Sequence, residues 1–445
     1  MKPPVSPPRL DKLIKLLTPE LLPTILDAGA KPGGQYLHWD KLRHLTPPDG
    51  LSSEQWWLGI KLARGQARRI SLLDVRGRPF SFTLPDEVLS MLHAIDSLAS
   101  GRVVLGGPVV TEELRNRFIF NSLVEEAITS SQLEGASTTR QVAADMIRYQ
   151  RAPKDRSERM IMNNYLAMQS LRNIKDQPLS YEGLLSLHAT LARDTLDDPG
   201  AAGRIQIPGE DRVQVVDHSS HRILHTPPPA EELPARLNAL VSFANEDNEG
   251  GQFIHPVVRA IILHFWLAYE HPFLDGNGRT ARALFYWTML RRGYLVFEFI
   301  SISRVLKQAP AKYARSFLYT ETDNNDLTYF IIEQVKVIEQ ALKALEVYLG
   351  RKAEQLRRVE GLLRRSDLNH REIALLSHAI RHPGHEYTVK SHQISHRVAY
   401  ATARADVSRL AELELLHSRR IGKKTLAFIA PDDLEKRIKA LRPDK

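Results

Sequence analysis

Cysteine is absent from this 445-residue sequence, which excludes disulfides, thiolate metal sites and cysteine nucleophiles and fits a reducing compartment. Long apolar runs are missing as well. The nearest, AIILHFWLAY from Ala260, contains His264 and falls short of the roughly 18 to 20 residues that span a bilayer. The start, MKPPVSPPRLDK, has charge and proline where a signal peptide needs a short apolar stretch ending in small residues. A soluble, cytoplasmic protein is therefore expected. No GxxxxGK run followed by Ser or Thr occurs, so a Walker-type phosphate loop is excluded. Low-complexity tracts and repeats beyond a heptad pattern are also lacking.

What is present belongs to a globular chain. Hydrophobic residues make up 43% and charged residues 25%, enough for two or three domains with cores of their own. The formal net charge of +9 suits polyanionic partners such as nucleotide phosphates or nucleic acid, although a lysine- and arginine-rich solvated surface gives the same figure.

Pattern divides the chain into an accessory amino-terminal region (1–101), a mainly helical core (109–348), a helical linker (349–368) and a last domain (369–430). In the first, Ser52 and Gln55 form a capping box that opens a helix, Trp56 and Trp57 read as core, and RISLLDV and PFSFTL form a hairpin around Arg76-Gly77-Arg78. The core reads as helix except for a β-rich flap from Gly203 to Ile223, with turn signals at Pro208-Gly209 and at Asp217 to Ser219. After Tyr329 a heptad runs through Val335, Ile338, Leu342, Leu345, Leu349, Leu356 and Val359, interrupted at Lys352. That stripe suits a long helix lying on the core, or a homodimer seam. The last domain reads as a winged helix-turn-helix: helices in REIALLSHAI, TVKSHQISHRV and YATARADVSRLAELELL, the third with a core stripe of Val407, Leu410 and Leu413, then a wing at HSRRIGKK and TLAFIA. It offers a contact to DNA or to protein.

The densest set of reactive residues is HPFLDGNGRTAR, His271 to Arg282, between an apolar helix and a second helix beginning near Asn277. Gly276 and Gly278 let backbone approach a ligand, and the N–H groups that open the second helix attract an anion such as phosphate. Arg279 and Arg282, three apart, share a helix face and can grip successive phosphates. Asp275 is placed to bind a hard cation such as Mg²⁺ (Mg2+), and His271 to take a proton from an attacking hydroxyl.

This run closely resembles the signature of the Fic family, HPFx(D/E)GNGRxxR, at His271, Pro272, Phe273, Asp275, Gly276, Asn277, Gly278, Arg279 and Arg282. The resemblance extends from about Phe118 to Tyr348. It implies a mainly α protein with a Fic-type helical bundle, a β-hairpin flap, an accessory α+β amino-terminal region and a carboxy-terminal winged helix-turn-helix. It implies a protein adenylyltransferase that moves AMP from ATP, with Mg²⁺, onto a Thr, Ser or Tyr hydroxyl of a target protein or of itself. His271 would be the base, Asp275 the metal ligand and Phe273 a buried anchor. Gly276, Asn277 and Gly278 would hold the α- and β-phosphates, and Arg279 and Arg282 the β- and γ-phosphates. Tyr313 and Tyr319 resemble positions near the nucleoside. With both glycines present, transfer of AMP is favoured over transfer of phosphate.

Upstream, EAITSSQLEGAS resembles the family's inhibitory motif through Ser130, Glu134 and Gly135, near 119–135. The resemblance implies that Glu134 pairs with Arg282 and occupies the γ-phosphate position. A target segment would add to the flap along Arg212 to Val216. Two alternatives remain open: removal of AMP by the same site, with Glu134 positioning water, and a DNA-binding regulator acting through the winged helix.

Overall fold

A computed structural model describes residues 2–27, 29, 31–99, 112–217, 221–246, 253–364, 366–421 and 425–441. Several positions singled out above lie outside the described residues: Gly101 and Val109 at boundaries, His218 and Ser219 in the flap turn, and Gly422 to Lys424 in the wing. The side chains of Lys352 and Leu356 lie outside them too. Among the described residues no helix is long and apolar enough to cross a membrane. The chain separates into two compact units, residues 1–99 with 122–342, and residues 100–121 with 343–445.

In the first unit the amino-terminal hundred residues join the helical core rather than stand apart. Helix Ser53–Ala63 opens on a complete capping box, Ser52 Oγ accepting from the Gln55 amide (3.2 Å) and Gln55 Oε1 from the Ser52 amide (2.8 Å). Its Trp56 and Trp57 are buried beside Leu13, Ile25 and Trp39, which is core packing. The hairpin Arg68–Leu73 with Pro79–Phe82 turns at Gly77, φ 71°. Lys61 pairs with Asp323 at 3.0 Å, Tyr36 donates to Asp326 at 2.6 Å, and the Leu327 amide donates to the Ser81 carbonyl at 2.8 Å. These contacts fix the hairpin, helix Ser53–Ala63 and Tyr36 to the residues that lead into helix Thr328–Leu363.

The centre of the unit is the pair Pro256–Glu270 and Asn277–Arg291, flanked by Arg156–Ile174 and Tyr181–Ala192. Every residue from Val257 to Leu267 is buried. A helix that is apolar all round is placed inside by its own surface. The loop between the pair is thereby held from both ends. The flap is the antiparallel pair Val215–Asp217 with Arg222–His225.

Helix Thr328–Leu363 carries the heptad stripe. Val335, Ile338 and Leu342 are buried on its part in the first unit, and Val359 and Leu363 enter the core of the second. In the second unit, helices His370–Arg381, Val389–His396, Tyr400–Glu412 and Leu434–Ala440 accompany a three-stranded sheet with Thr425–Ile429 between Glu386–Thr388 and His417–Ile421. Val407 and Leu410 are core, but Leu413 is 38% exposed. The helix ends at Glu412, and Glu414 in the left-handed region (φ 58°) turns the chain so that Leu415 and Leu416 go inside instead.

Candidate active site

His271 ends helix Pro256–Glu270 in a left-handed conformation, φ 45° and ψ 52°. A non-glycine residue held there is strained, and functional sites are where such strain collects. What holds it is Arg212. Its guanidinium donates to the carbonyls of Glu270 (2.8 Å), His271 (3.2 Å) and Pro228 (2.8 Å), and to Gln206 Oε1. A cation over the last carbonyls of a helix also complements the helix dipole. Arg212 is thus a strut behind His271 rather than part of a free edge. The flap strand begins at Val215, where the backbone pairs with His225.

The His271 ring has Nδ1 3.3 Å from the Ala268 carbonyl. A carbonyl only accepts, so Nδ1 carries the proton and the Nε2 lone pair is left for another group. Burial, then the charge of His225, pushes the pKa down to about 4. The ring is neutral at pH 7, as a general base must be.

Asn277 closes the loop on itself, its Oδ1 accepting from the Phe273 amide (2.9 Å) and its Nδ2 donating to the Phe273 carbonyl (2.8 Å). Phe273 is buried and stacks on His188, centroids 3.7 Å apart. His188 in turn donates from Nε2 to the Asp275 carbonyl (2.9 Å) and accepts at Nδ1 from the Gly203 amide (3.0 Å). Both nitrogens are satisfied only in the neutral ring, and burial holds its pKa near 4 accordingly. His188 therefore brackets the loop between Phe273 and Asp275.

Gly276 adopts φ 83° and gives the next helix no side-chain cap, so the amides of the first turn are open to an anion. Arg279 is fully buried and donates from Nη1 to the Leu191 carbonyl (2.9 Å), while its Nε and Nη2 have no hydrogen-bond partner. Buried guanidinium donors are rarely left so, and phosphate oxygens fit them. The Asp275 carboxylate, 39% exposed, is 3.4 Å from Arg156 and 3.7 Å from Arg279. One accessible carboxylate suits Mg²⁺, which takes few protein oxygens beside phosphates and water.

Arg282 is held through Nε and Nη2 by the end of helix Glu112–Leu133 and the residue after it. Its Nε donates to Ser130 Oγ (2.8 Å), and its Nη2 to the Ser130 carbonyl (2.9 Å) and to Glu134 Oε1 (2.9 Å). A Cβ at Gly278 would meet that same Glu134 oxygen at 2.2 Å. The carboxylate thus stands over the first turn of the helix, where an anion would sit. Gly135, φ 94°, ends the segment, the Ala136 amide returning to the Ser131 carbonyl at 3.0 Å.

Behind them, buried Glu126 accepts from Tyr286 (2.9 Å), Ser301 (2.8 Å) and the Ser303 amide (3.1 Å), and from Ser303 Oγ. Glu126, Ser130 and Glu134 follow at intervals of four and so lie along one face. A cavity of about 200 Å³ joins Glu134, His271, Gly278, Arg282 and Tyr313 to the flap residues Val215, Leu224 and His225. Tyr313 lines it and bonds to His264 through its hydroxyl (2.8 Å). Tyr319 stacks on His38 elsewhere, centroids 4.3 Å apart.

Against known proteins, the Fic/DOC family model matches residues 178–289, a span that includes the flap, His271 and Arg282. The chain carries a Fic-family domain. A crystal structure of a Fic family protein from Desulfovibrio desulfuricans G20 has the same fold, with a TM-score of 0.53 and 18% identity, covering 79% of this chain and 97% of that one. By sequence this chain is 41% identical to the protein adenylyltransferase Fic of Nematostella vectensis over 71 residues, 16% of each chain. It is 34% identical to the protein adenylyltransferase fic-1 of Caenorhabditis elegans over 125 residues, 28% of this chain and 22% of that one. This chain spans less than a quarter of the length of these curated relatives.

Sequence reasoning about the Fic domain missed His188, Arg212 as a strut, His225 and Glu126. Only Glu126 left a signal, as the residue four before Ser130.

Proposed function

We propose that this chain is a protein adenylyltransferase that transfers AMP from ATP to a protein hydroxyl and is restrained by Glu134. The observation that carries the reading is one cavity holding a neutral histidine and an anion site already filled by the protein's own carboxylate. The curated relatives named as adenylyltransferases support ATP as the donor.

The α-phosphorus would be attacked by a target hydroxyl whose proton passes to Nε2 of His271, with pyrophosphate leaving. The first-turn amides after Gly276 and the free donors of Arg279 would carry the developing phosphate charge. Asp275 would hold Mg²⁺, which neutralises phosphate charge when bound. Arg212, Asn277 and His188 keep the loop in register for this, since small displacements of reacting groups are expensive in rate. The flap strands beside the cavity would align an extended target segment by backbone pairing, so the target is a protein or the chain itself.

Because Glu134 shares the cavity with His271, the same site also suits the reverse chemistry, with Glu134 orienting water to release AMP from a modified protein. Incubating the purified chain with ATP and Mg²⁺ and weighing it by mass spectrometry tests the first reading: an added AMP on itself, or on an offered protein mixture, supports it. Release of AMP from a modified protein without any transfer from ATP would replace it with the second.

A further inference from the structure

Eight arginines lie between Asn369 and Leu441. Four are held by carboxylates: Arg371 by Asp406 (2.7 Å), Arg381 by Glu360 (2.6 Å), Arg409 by Asp367 (2.6 Å) and Arg437 by Asp433 (2.7 Å). The other four, Arg397, Arg404, Arg419 and Arg420, are exposed, and among the described residues their side chains make no ion pair or hydrogen bond.

The free ones are not scattered. Arg397, φ 53°, is the turn residue that ends helix Val389–His396. Arg404 is in the second turn of the next helix, Tyr400–Glu412, exposed about a quarter turn round from the buried Ala403, Val407 and Leu410. Arg419 and Arg420 lie on His417–Ile421, an outer strand of the sheet that follows this helix after four residues. Protection of a sheet edge by charge would account for Arg419 and Arg420, but not for Arg397 and Arg404.

The helix between them is shaped for close approach. Its N-cap, Ala399, offers no side-chain hydrogen bond, so the first-turn amides are open. Ala399, Ala401 and Ala405 are exposed and small, with Tyr400 54% exposed beside them. A helix with little bulk on its outer face, free amides at its start and exposed guanidiniums just before it, on it and on the strand after it matches a major groove about 12 Å wide between two phosphate rows. We propose that the carboxy-terminal unit binds duplex DNA, with helix Tyr400–Glu412 in the major groove and Arg397, Arg404, Arg419 and Arg420 on flanking phosphates. This goes beyond the transferase reading and does not depend on it.

The experiment is fluorescence anisotropy of the full chain with a labelled, mixed-sequence duplex of about 30 base pairs, between about 50 and 200 mM salt. Four neutralised phosphates predict that log K falls against log salt with a slope of about −3 to −4. Arg404→Glu with Arg420→Glu should weaken binding tenfold or more and make the slope shallower by about two. Lys436→Glu with Lys439→Glu makes the same change in net charge on helix Leu434–Ala440, whose lysines are exposed, and should change affinity less than threefold. All four side chains are at the surface, so thermal unfolding should be unaltered and will verify that the variants are folded. No salt-dependent duplex binding, equal weakening by the two double variants, or tighter binding to single-stranded RNA or an acidic polypeptide would each overturn the proposal.

Discussion

The Glu134 carboxylate lies 2.9 Å from Nη2 of Arg282 and covers the Cα of Gly278, so one side chain blocks both a guanidinium and the start of a helix. Arg282 is buried, and a charge-assisted bond of this kind is worth roughly 1.5 to 3 kcal/mol. A phosphate that is to reach this position must displace it. Glu134→Gly is therefore expected to raise self-modification roughly tenfold to a hundredfold, at about 1.4 kcal/mol for each factor of ten. Arg282→Ala removes the clamp together with its occupant and should gain little. Incorporation of labelled AMP measures both, and loss of activity in a folded Glu134→Gly variant would instead assign Glu134 to AMP removal.

Removing the proposed base should act differently from removing the proposed restraint. His271→Ala is expected to lower transfer by about 10² to 10⁴, the usual contribution of a positioned base, while ATP binding survives. Equilibrium binding of ATP beside single-turnover transfer separates the two. Arg212→Ala frees the carbonyls of Glu270 and His271 and removes a positive charge that helps hold the His271 pKa down, so it should slow transfer and move the acid limb of the pH profile to higher pH.

The site was legible where its chemistry is local. His271 to Arg282 is one loop and one helical turn, and spacing alone put a histidine, a carboxylate and two arginines around a glycine-opened helix. The pairing of Glu134 with Arg282 came from a resemblance and is present at 2.9 Å, whereas the bonds from Arg282 to Ser130 were not foreseen. The supports were illegible because they come from far along the chain: His188 is 87 residues from Asp275, and Arg212 is 58 from Glu270. His188 sits among leucines on a helix face, where nothing distinguishes a bracket from ordinary core. Arg212 stands in an alternating β-rich stretch, which hid that its long side chain turns back to a helix end. The three-residue strand Glu386–Thr388 is too short for alternation to show.

The proposed function predicts metal dependence through the loop. Asp275 is an accessible carboxylate beside Arg156 and Arg279, and pyrophosphate leaves poorly unless its charge is neutralised. Asp275→Ala and excess chelator should each depress transfer strongly, and Arg279→Ala should depress it as well. Restoring Mg²⁺ should rescue the chelated wild type and not Asp275→Ala. Transfer that persists in chelator would remove the metal role from Asp275.

His225 makes the pH dependence testable. Its Nε2 is 2.7 Å from the Tyr269 carbonyl and its Nδ1 2.7 Å from Glu321. Both neighbours accept, so both nitrogens donate and the ring is an imidazolium. Burial alone would lower its pKa, but the Glu321 carboxylate and the carbonyl outweigh burial and raise it. This positive ring faces the cavity of His271 and, with burial, keeps the base deprotonated down to about pH 4. Wild-type transfer should therefore hold its rate as pH falls from 7 towards 5 and decline only as His271 protonates. His225→Asn deletes that charge and leaves Glu321 unopposed, so the His271 pKa must rise and the acid limb must move to higher pH. The other charges around His271 are Glu134, Arg212, Arg282 and Glu270. Glu270 is the confounder, because burial pushes its carboxyl up to about 7 although Arg236 is 3.4 Å away. Glu270→Gln separates them: a limb that moves in His225→Asn but stays put in Glu270→Gln belongs to His271. If the limb of His225→Asn coincides with that of the wild type, the imidazolium has no hold on the base.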